Sequence, residues 1–303
     1  MNIRKTHIRA LATIAIALSA LTACDDDELS STSLISTPTT EQTTQLDKWL
    51  TANYIETYNI DFKYRYSDIE ADMDYYTVPS TYDDAVVMAH LVKYLCLEAY
   101  DEVAGIDFTR ANFPKMIFLI GEFEYRNNGT MILGTAEGGK KILLTGLNYL
   151  SSFLNDADKL NDLYFKTIHH EFTHILNQTK EYTTEFGQIT GSGYVADSWS
   201  NSPYDSEYLQ NGFITAYAQY SDTEDFAEML STYVCNSAQT WNKWLSNAGE
   251  EPADKISQKL SIVRRYMKES WNIDIDELRQ SILMRQDIVT SGKIDLTDLT
   301  TTK

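Results

Sequence analysis

The spacing of apolar and polar residues predicts both strands and helices in the first half of the chain. Residues 83–100 carry apolar side chains at helical spacing and predict an amphipathic helix. Residues 60–66 alternate apolar and polar side chains, which is typical of a strand. Three short apolar runs predict further strands, at 115–120, 131–133 and 141–145, and the glycine-rich residues 134–139 predict a loop between the last two.

The second half of the chain is predicted to be mainly helical. Residues 179–210 are rich in Tyr, Ser, Thr and Gly with little periodicity, and predict a loop that lines a cleft. Three later helices are predicted at 238–246, 255–270 and 276–286, and the last of them is capped by Asp274 or Asp276.

A further helix is predicted around a pair of histidines. Its apolar residues recur at helical spacing and are Phe165, Ile168, Phe172 and Ile175. These side chains would hold one side of the helix in the core, while His170 and His174 face a cleft. Imidazoles at positions i and i+4 lie one turn apart on one helix face, so both can reach a single ion, as tetrahedral zinc requires.

The glutamate beside the first histidine turns this pair into a candidate hydrolase site. Glu171 lies next to the histidine face and could take a proton from a water that the metal activates. The chain has five histidines, so the chance that the pattern at 170–174 arises at random is about one per cent or less. The alternative is that His170 and His174 are satisfied core or surface residues. His169 is interpreted as a residue that supports the site or the core.

A third ligand must come from elsewhere, with one position left open for water. Glu224 and Glu228 are four residues apart and share a helix face, so Glu224 could bind the metal and Glu228 could accept a hydrogen bond from a ligand histidine. The alternative is that Ser221 and Glu224 form a capping box, in which Glu224 only closes the start of a helix. Asp222 and Asp225 are rival carboxylates, but they lie off the face that Glu228 shares.

Tyr217 is a candidate for the group that stabilises negative charge at the scissile carbonyl. It lies seven residues before Glu224, and its phenolic hydroxyl could donate a hydrogen bond to the oxyanion. Because the chain has 20 tyrosines, its position alone is weak support.

The N-terminus predicts secretion and a lipid anchor. Basic residues precede an apolar run at 10–20 that is too short to span a bilayer, and residues 21–24 resemble a bacterial lipobox. Residues 1–23 would then be a signal peptide, and Cys24 would be lipidated as the first residue of the mature chain. Residues 24–45 predict an acidic and Ser/Thr-rich tether, and residues 46–303 a single catalytic domain.

The acidic cluster directly after Cys24, at 25–28, resembles the export signal of surface-displayed lipoproteins in Bacteroidetes-type bacteria. It predicts an outer-membrane lipoprotein that faces the outside of the cell. The alternative is a solvated spacer in a periplasmic lipoprotein.

The net charge limits the class of partner, and two cysteines remain in the predicted mature domain. The formal net charge is −19, and removal of residues 1–23, with three basic residues and no acidic one, would leave −22. A charge of this sign argues against nucleic acid as a partner. Cys96 and Cys235 could form a disulfide or remain buried free thiols.

A resemblance to a known family rests on these motifs and on further segments. The segments are 60–66, 134–141, 170–174, 212–218, 224–228, 266–269 and 274–279. Together they resemble the substrate import-associated zinc metallohydrolase lipoproteins of Bacteroidetes over most of the mature chain. That family is similar in its metal motifs to the gluzincin peptidases, and the order of Tyr217 and Glu224 resembles the catalytic lobe of anthrax lethal factor.

The resemblance implies a role for each residue of the candidate site. His170, His174 and Glu224 would be zinc ligands, and Glu171 the general base. Glu228 would hold a ligand histidine, and Tyr217 would donate to the oxyanion. It also implies an α+β zincin fold with a mixed sheet above the zinc helix and a mainly helical C-terminal lobe, with residues 141–145 as the edge strand that aligns substrate.

The leading hypothesis is therefore a surface-anchored zinc metallopeptidase that acts on a peptide or protein substrate. The family resemblance adds an outer-membrane import porin and its lipoprotein lid as partners. A second hypothesis is a binding subunit of a nutrient importer with a vestigial or structural zinc site. Hydrolysis of a non-peptide amide or ester is a third, because the same chemistry permits it.

Overall fold

The structure, a computed structural model, describes residues 43–71, 75, 77–125, 131–132, 134–137 and 141–300. The predicted signal peptide, Cys24, the acidic cluster and almost all of the predicted tether lie outside the described residues. The described residues from 44 to 300 form one compact unit.

The first helix, α1, begins at a capping box and covers residues 45–58. Its consecutive segments are Gln45–Leu50, the π-helical Thr51–Ile55, and Glu56–Tyr58. Thr44 and Asp47 exchange side-chain and backbone hydrogen bonds, which satisfies N–H groups that have no partner within the helix. Arg65 donates two hydrogen bonds of 2.7 Å to Asp47 and so ties the chain after the first strand to the start of α1.

The next two helices lie on either side of a glycine. Helix α2 covers residues 82–104 in the segments Tyr82–Val92, Lys93–Leu97 and Glu98–Ala104, and contains the helix predicted at 83–100. Thr81 caps its start. Gly105, with φ at +84°, turns the chain into α3, Ile106–Asn112, in a conformation that a side chain would disfavour.

A four-stranded sheet consists of β1 Asp61–Lys63, β2 Met116–Leu119, β5 Gly134–Glu137 and β6 Lys141–Leu144. Its strands lie in the order β1, β2, β6, β5. The first three are parallel, and β5 pairs antiparallel to β6. Two further strands, β3 Glu124–Tyr125 and β4 Met131–Ile132, pair antiparallel in a separate two-stranded sheet.

Two sequence predictions about this sheet are wrong. Residues 134–137 of the predicted loop form β5, and residues 138–139 lie outside the described residues. The predicted edge strand at 141–145 is β6, which lies between β2 and β5, so β5 is the strand at this edge of the sheet. All four residues of β6 are buried: Ile142, Leu143 and Leu144 form the apolar run expected of an interior strand, and Lys141 donates a hydrogen bond of 3.0 Å to the Glu70 carbonyl.

Helix α4 carries the histidine motif and covers residues 157–179. Its segments are Ala157–Leu160, the π-helical Asn161–Phe165 and Lys166–Thr179. Phe165, Ile168 and Phe172 are completely buried, as the sequence predicted. The ring of Phe172 lies 4.9 Å from those of Tyr100 and Phe113, so α4 is fixed against α2 and the end of α3 by aromatic packing.

The chain after residue 221 is mainly helical, as predicted, and the fold is α+β. The predicted loop at 179–210 contains a short helix and two 3₁₀ turns. The later helices are α5 Glu185–Gln188, α6 Asp222–Cys235, α7 Ala238–Ala248, α8 Glu250–Trp271 and α9 Ile275–Thr290. Asp274, one of the two predicted caps, accepts hydrogen bonds from the first turn of α9.

Cys96 and Cys235 are buried free thiols. In the described part of the chain, no helix is both long and apolar enough to cross a membrane.

Candidate metal centre

His170 and His174 lie on one face of α4, as the spacing predicted. Their rings meet edge to face with centroids 4.7 Å apart, and the two Nε2 atoms are 3.0 Å apart. His170 is buried and His174 is partly exposed. The pair therefore presents two nitrogen donors to one point at the helix surface.

Glu224 joins the two histidines from the first turn of α6. Its Oε2 atom lies 2.9 Å from Nε2 of His170 and 3.2 Å from Nε2 of His174. The hydroxyl of Ser221 accepts a hydrogen bond from the Glu224 backbone N–H. Ser221 therefore caps α6 through the backbone of Glu224, while an oxygen of the Glu224 side chain faces the imidazoles.

The two rival carboxylates are held elsewhere. Asp225 is completely buried and forms an ion pair of 2.5 Å with the equally buried Lys259 of α8. Asp222 is exposed and accepts a hydrogen bond from the Tyr182 hydroxyl. Both lie off the face of α6 that carries Glu224, as the helical spacing predicted.

The three donor atoms fit a zinc ion. Nε2 of His170, Nε2 of His174 and the carboxylate oxygen of Glu224 lie within 4.8 Å of one another. Their separations of 2.9 to 3.2 Å are close to the edge of about 3.3–3.4 Å that zinc bonds of about 2.0–2.1 Å give a tetrahedron. Two histidines and one glutamate are also the donors of a common catalytic zinc site, which leaves a fourth position open.

The charges at this site already favour a cation. Burial raises the pKa of Glu224, but hydrogen bonds from both imidazoles outweigh it and bring the pKa to about 2. Burial lowers the pKa of His170, and the carboxylates of Glu224 and Glu228 more than reverse this and raise it to about 9. The negative charge around His170 therefore stabilises positive charge at the same point, which is the electrostatic condition for metal binding.

Glu228 lies behind His170, on the side away from Glu224. Its Oε1 atom is 2.9 Å from Nδ1 of His170. Its Oε2 atom accepts hydrogen bonds from Lys166 at 2.9 Å and from Thr215 at 2.6 Å. Glu228 is almost fully buried, so these three contacts account for a carboxylate charge that water does not reach.

Tyr217 and Glu171 also lie at the site. Tyr217 stands in a 3₁₀ turn, Tyr217–Gln219, and its ring centroid is 5.9 Å from that of His170. Trp199 packs edge-on against Tyr217 with centroids 5.1 Å apart. Glu171 is partly buried, and its charge raises the pKa of its neighbour His170.

Comparison with known proteins identifies the family. The family model described as "putative zinc-binding metallo-peptidase" matches residues 39–276. The chain belongs to this family. The crystal structure of a putative zinc-binding metallo-peptidase from Bacteroides caccae ATCC 43185 is similar, with 39% identity and a TM-score of 0.72, over 84% of this chain and 95% of that chain. No curated protein matches the chain.

This membership confirms the predicted zinc-binding metallopeptidase family, and zinc is its cofactor. The import association, the lipid anchor and the likeness to lethal factor stay predictions. So do the individual roles of the site residues, although the structure brings all six of them to one place. Those residues are His170, Glu171, His174, Tyr217, Glu224 and Glu228.

Two contributors to this metallo-peptidase site were missed from the sequence. Lys166 lies four residues before His170, so the helical spacing that relates the two histidines could have found it. Thr215 has no such signal, because it reaches Glu228 from a non-helical segment.

His169 is completely buried, and this burial lowers its pKa to about 4. Nδ1 of its ring lies 3.2 Å from the Tyr100 hydroxyl. It therefore supports the core as a neutral imidazole.

Proposed function

We propose that this metallo-peptidase cleaves peptide bonds with zinc held by His170, His174 and Glu224. The observation that carries the proposal is the convergence of these three donor atoms within 4.8 Å, with Glu171 adjacent on the same helix. Zinc, when bound at such a site, supplies Lewis-acid activation of a water and of the substrate carbonyl near neutral pH.

The remaining steps belong to side chains of the chain itself. Glu171 accepts the proton of the attacking water and then delivers it to the amine that leaves when the C–N bond breaks. Tyr217 donates its phenolic hydrogen to the oxyanion that forms at the scissile carbonyl. Oε1 of Glu228, 2.9 Å from Nδ1 of His170, would hold the hydrogen of the ring on that nitrogen and so direct the Nε2 lone pair towards the metal.

The sheet edge provides a place for an extended substrate. Strand β5 lies at this edge and packs against α4, the helix that carries the histidines. A peptide that pairs with the open edge of β5 would form backbone hydrogen bonds while its scissile bond lies over α4. In this proposal β5, and not the strand predicted at 141–145, aligns the substrate.

Zinc analysis combined with digestion of a broad peptide library tests the proposal. We expect about one zinc per chain, cleavage products from a subset of peptides, and loss of cleavage after chelation with recovery on adding zinc. Products are identified by mass spectrometry, with heat-unfolded protein as a control for contaminating peptidases. Zinc binding without cleavage of any peptide would contradict the proposal and favour a binding protein.

Tyr217→Phe tests the oxyanion role. We expect kcat to fall about 10²–10³-fold, as on loss of one oxyanion donor, with zinc content unchanged. Tyr220→Phe is the matched control, because Tyr220 lies 5.9 Å from Tyr217 in ring-centroid distance and is partly exposed. Steady-state kinetics on one peptide from the library gives the comparison. Equal kcat for the two variants would remove Tyr217 from the chemistry.

We further propose that the enzyme works at the cell surface, beside an outer-membrane import system. The lipobox at 21–24 and the acidic cluster at 25–28 support this placement. Two or more acyl chains on one cysteine would hold the protein stably at a membrane. Protease digestion of intact cells would separate surface from periplasmic placement, because only a surface protein is cut.

A further inference from the structure

We propose that Lys166 and Thr215 are positioning residues for the metal centre, and that they act through Glu228. Together they would orient the Glu228 carboxylate towards His170 and connect the turn that carries Tyr217 to the zinc helix. The inference rests on the proposed function, because it assigns His170 to the metal. It adds two residues that neither the motif nor the family match identifies.

Lys166 approaches Glu228 from the zinc helix. It lies four residues before His170, so its side chain leaves α4 on the same side as that imidazole. Its ammonium lies 2.9 Å from Oε2 of Glu228, and the lysine side chain is about one quarter exposed while the glutamate is 3% exposed. A charge-assisted hydrogen bond to a carboxylate so well shielded from water is stronger than one at the surface.

Thr215 approaches the same oxygen from the other side. Its hydroxyl donates to Oε2 of Glu228 at 2.6 Å and accepts from the backbone N–H of Ala218 at 3.1 Å. Ala218 belongs to the 3₁₀ turn Tyr217–Gln219. One hydroxyl therefore joins the carboxylate behind His170 to the turn that carries Tyr217.

Lys166 and Thr215 both donate to Oε2 of Glu228, which leaves Oε1 to face His170. A glutamate carboxylate rotates readily about its last torsion, since that torsion has broad minima. With Lys166 and Thr215 both on Oε2, the other oxygen, Oε1, lies 2.9 Å from Nδ1 of His170. This arrangement favours the tautomer with hydrogen on Nδ1 and leaves the lone pair of Nε2 for the metal.

The network also spans three separate parts of the chain. Lys166 and His170 come from α4, Glu228 from α6, and Thr215 from the segment before the Tyr217 turn. A shift of any one part would lengthen contacts that are now 2.6 to 2.9 Å. We infer that the network sets the position of the Tyr217 turn relative to the ligand His170.

The test measures zinc affinity of the purified chain by competition with a chromophoric chelator. Lys166→Met keeps an unbranched side chain of nearly the same length and removes its charge, and Thr215→Val keeps the shape and removes the hydroxyl. We expect each to weaken zinc binding about 10- to 100-fold, the usual effect of losing an outer partner of a metal ligand. Lys166→Arg and Thr215→Ser, which keep a donor, should stay near wild type.

A second readout separates positioning from simple stabilisation. Nitrogen-15 NMR of the zinc-loaded protein reports which nitrogen of His170 carries hydrogen. We expect the hydrogen on Nδ1 in wild type and a mixed signal in Lys166→Met. Lys159→Met is the matched control, because Lys159 is an exposed lysine of the same helix and should change neither readout.

Two outcomes would overturn the inference. One is wild-type zinc affinity and an unchanged His170 signal in both Lys166→Met and Thr215→Val. The other is a lower unfolding temperature of the metal-free variants without any change in zinc affinity, which would mark the residues as structural. If one variant fails to fold, the other still decides. Failure of the proposed function is distinguishable, because it shows as a wild-type chain that binds no zinc or cleaves no peptide.

Discussion

Glu171→Gln should keep zinc bound and lose about 10²–10⁴-fold in kcat, the range that a general base contributes. Glutamine has the shape of glutamate, but its amide cannot take up the proton of the attacking water. The residue lies beside the face that holds His170 and His174, so the donors to the metal stay in place. The chemistry should therefore fail while the metal centre remains intact.

The measurement combines zinc content with single-turnover cleavage of a library-derived peptide. Single-turnover rates separate chemistry from product release. Glu181→Gln is the matched control, because Glu181 is an exposed glutamate just after α4. Both variants should contain about one zinc per chain, and only Glu171→Gln should be slow. Unchanged cleavage by Glu171→Gln would reject the assignment of the base.

Glu224→Ala should abolish both zinc binding and peptide cleavage. The variant leaves His170 and His174 as a two-ligand site, so zinc affinity should fall by more than the 10- to 100-fold that follows from losing an outer partner. The loss should not come from an unfolded helix, because Ser221 caps α6 through the Glu224 backbone N–H, which alanine retains. Chelator competition and zinc content measure the effect.

Asp222→Ala serves as the control on the same helical turn. Asp222 is exposed and contacts Tyr182, away from the imidazoles. It should bind zinc as wild type does. Tight zinc binding by Glu224→Ala would show that another group completes the site. Glu224 would then be only a first-turn residue of α6 whose N–H donates to Ser221. Such a result would also remove the geometric basis of the proposed function.

In the sheet, the local sequence pattern predicts strands but not their order. Residues 141–145 and 115–120 both read as apolar strands, and both are strands in the structure. Strand β6 is interior because β5 pairs with its other side, and the segment Gly134–Glu137 that forms β5 lies in a glycine-rich stretch that resembles a loop. Pairing with β6 through backbone hydrogen bonds makes this segment a strand, and backbone pairing leaves little trace in side-chain pattern.

Part of the metal site also follows from local sequence pattern, and part depends on tertiary packing. Helical spacing by itself placed His170 beside His174, Glu171 next to them, and Glu224 one turn before Glu228, because a 3.6-residue period fixes which side chains share a face. The sequence also carried enough of the family pattern to indicate zinc and a peptidase.

Only the tertiary structure decided that α4 and α6 meet with Glu224 between the two imidazoles. It also decided that Lys166 and Thr215 converge on Glu228 and that β5 lies at the sheet edge. The contacts between α4 and α6 join residues 50 or more positions apart: His174 and Glu224 are 50 apart, and Lys166 and Glu228 are 62 apart. Their geometry depends on how whole helices pack against one another, and no local period of the sequence records that packing.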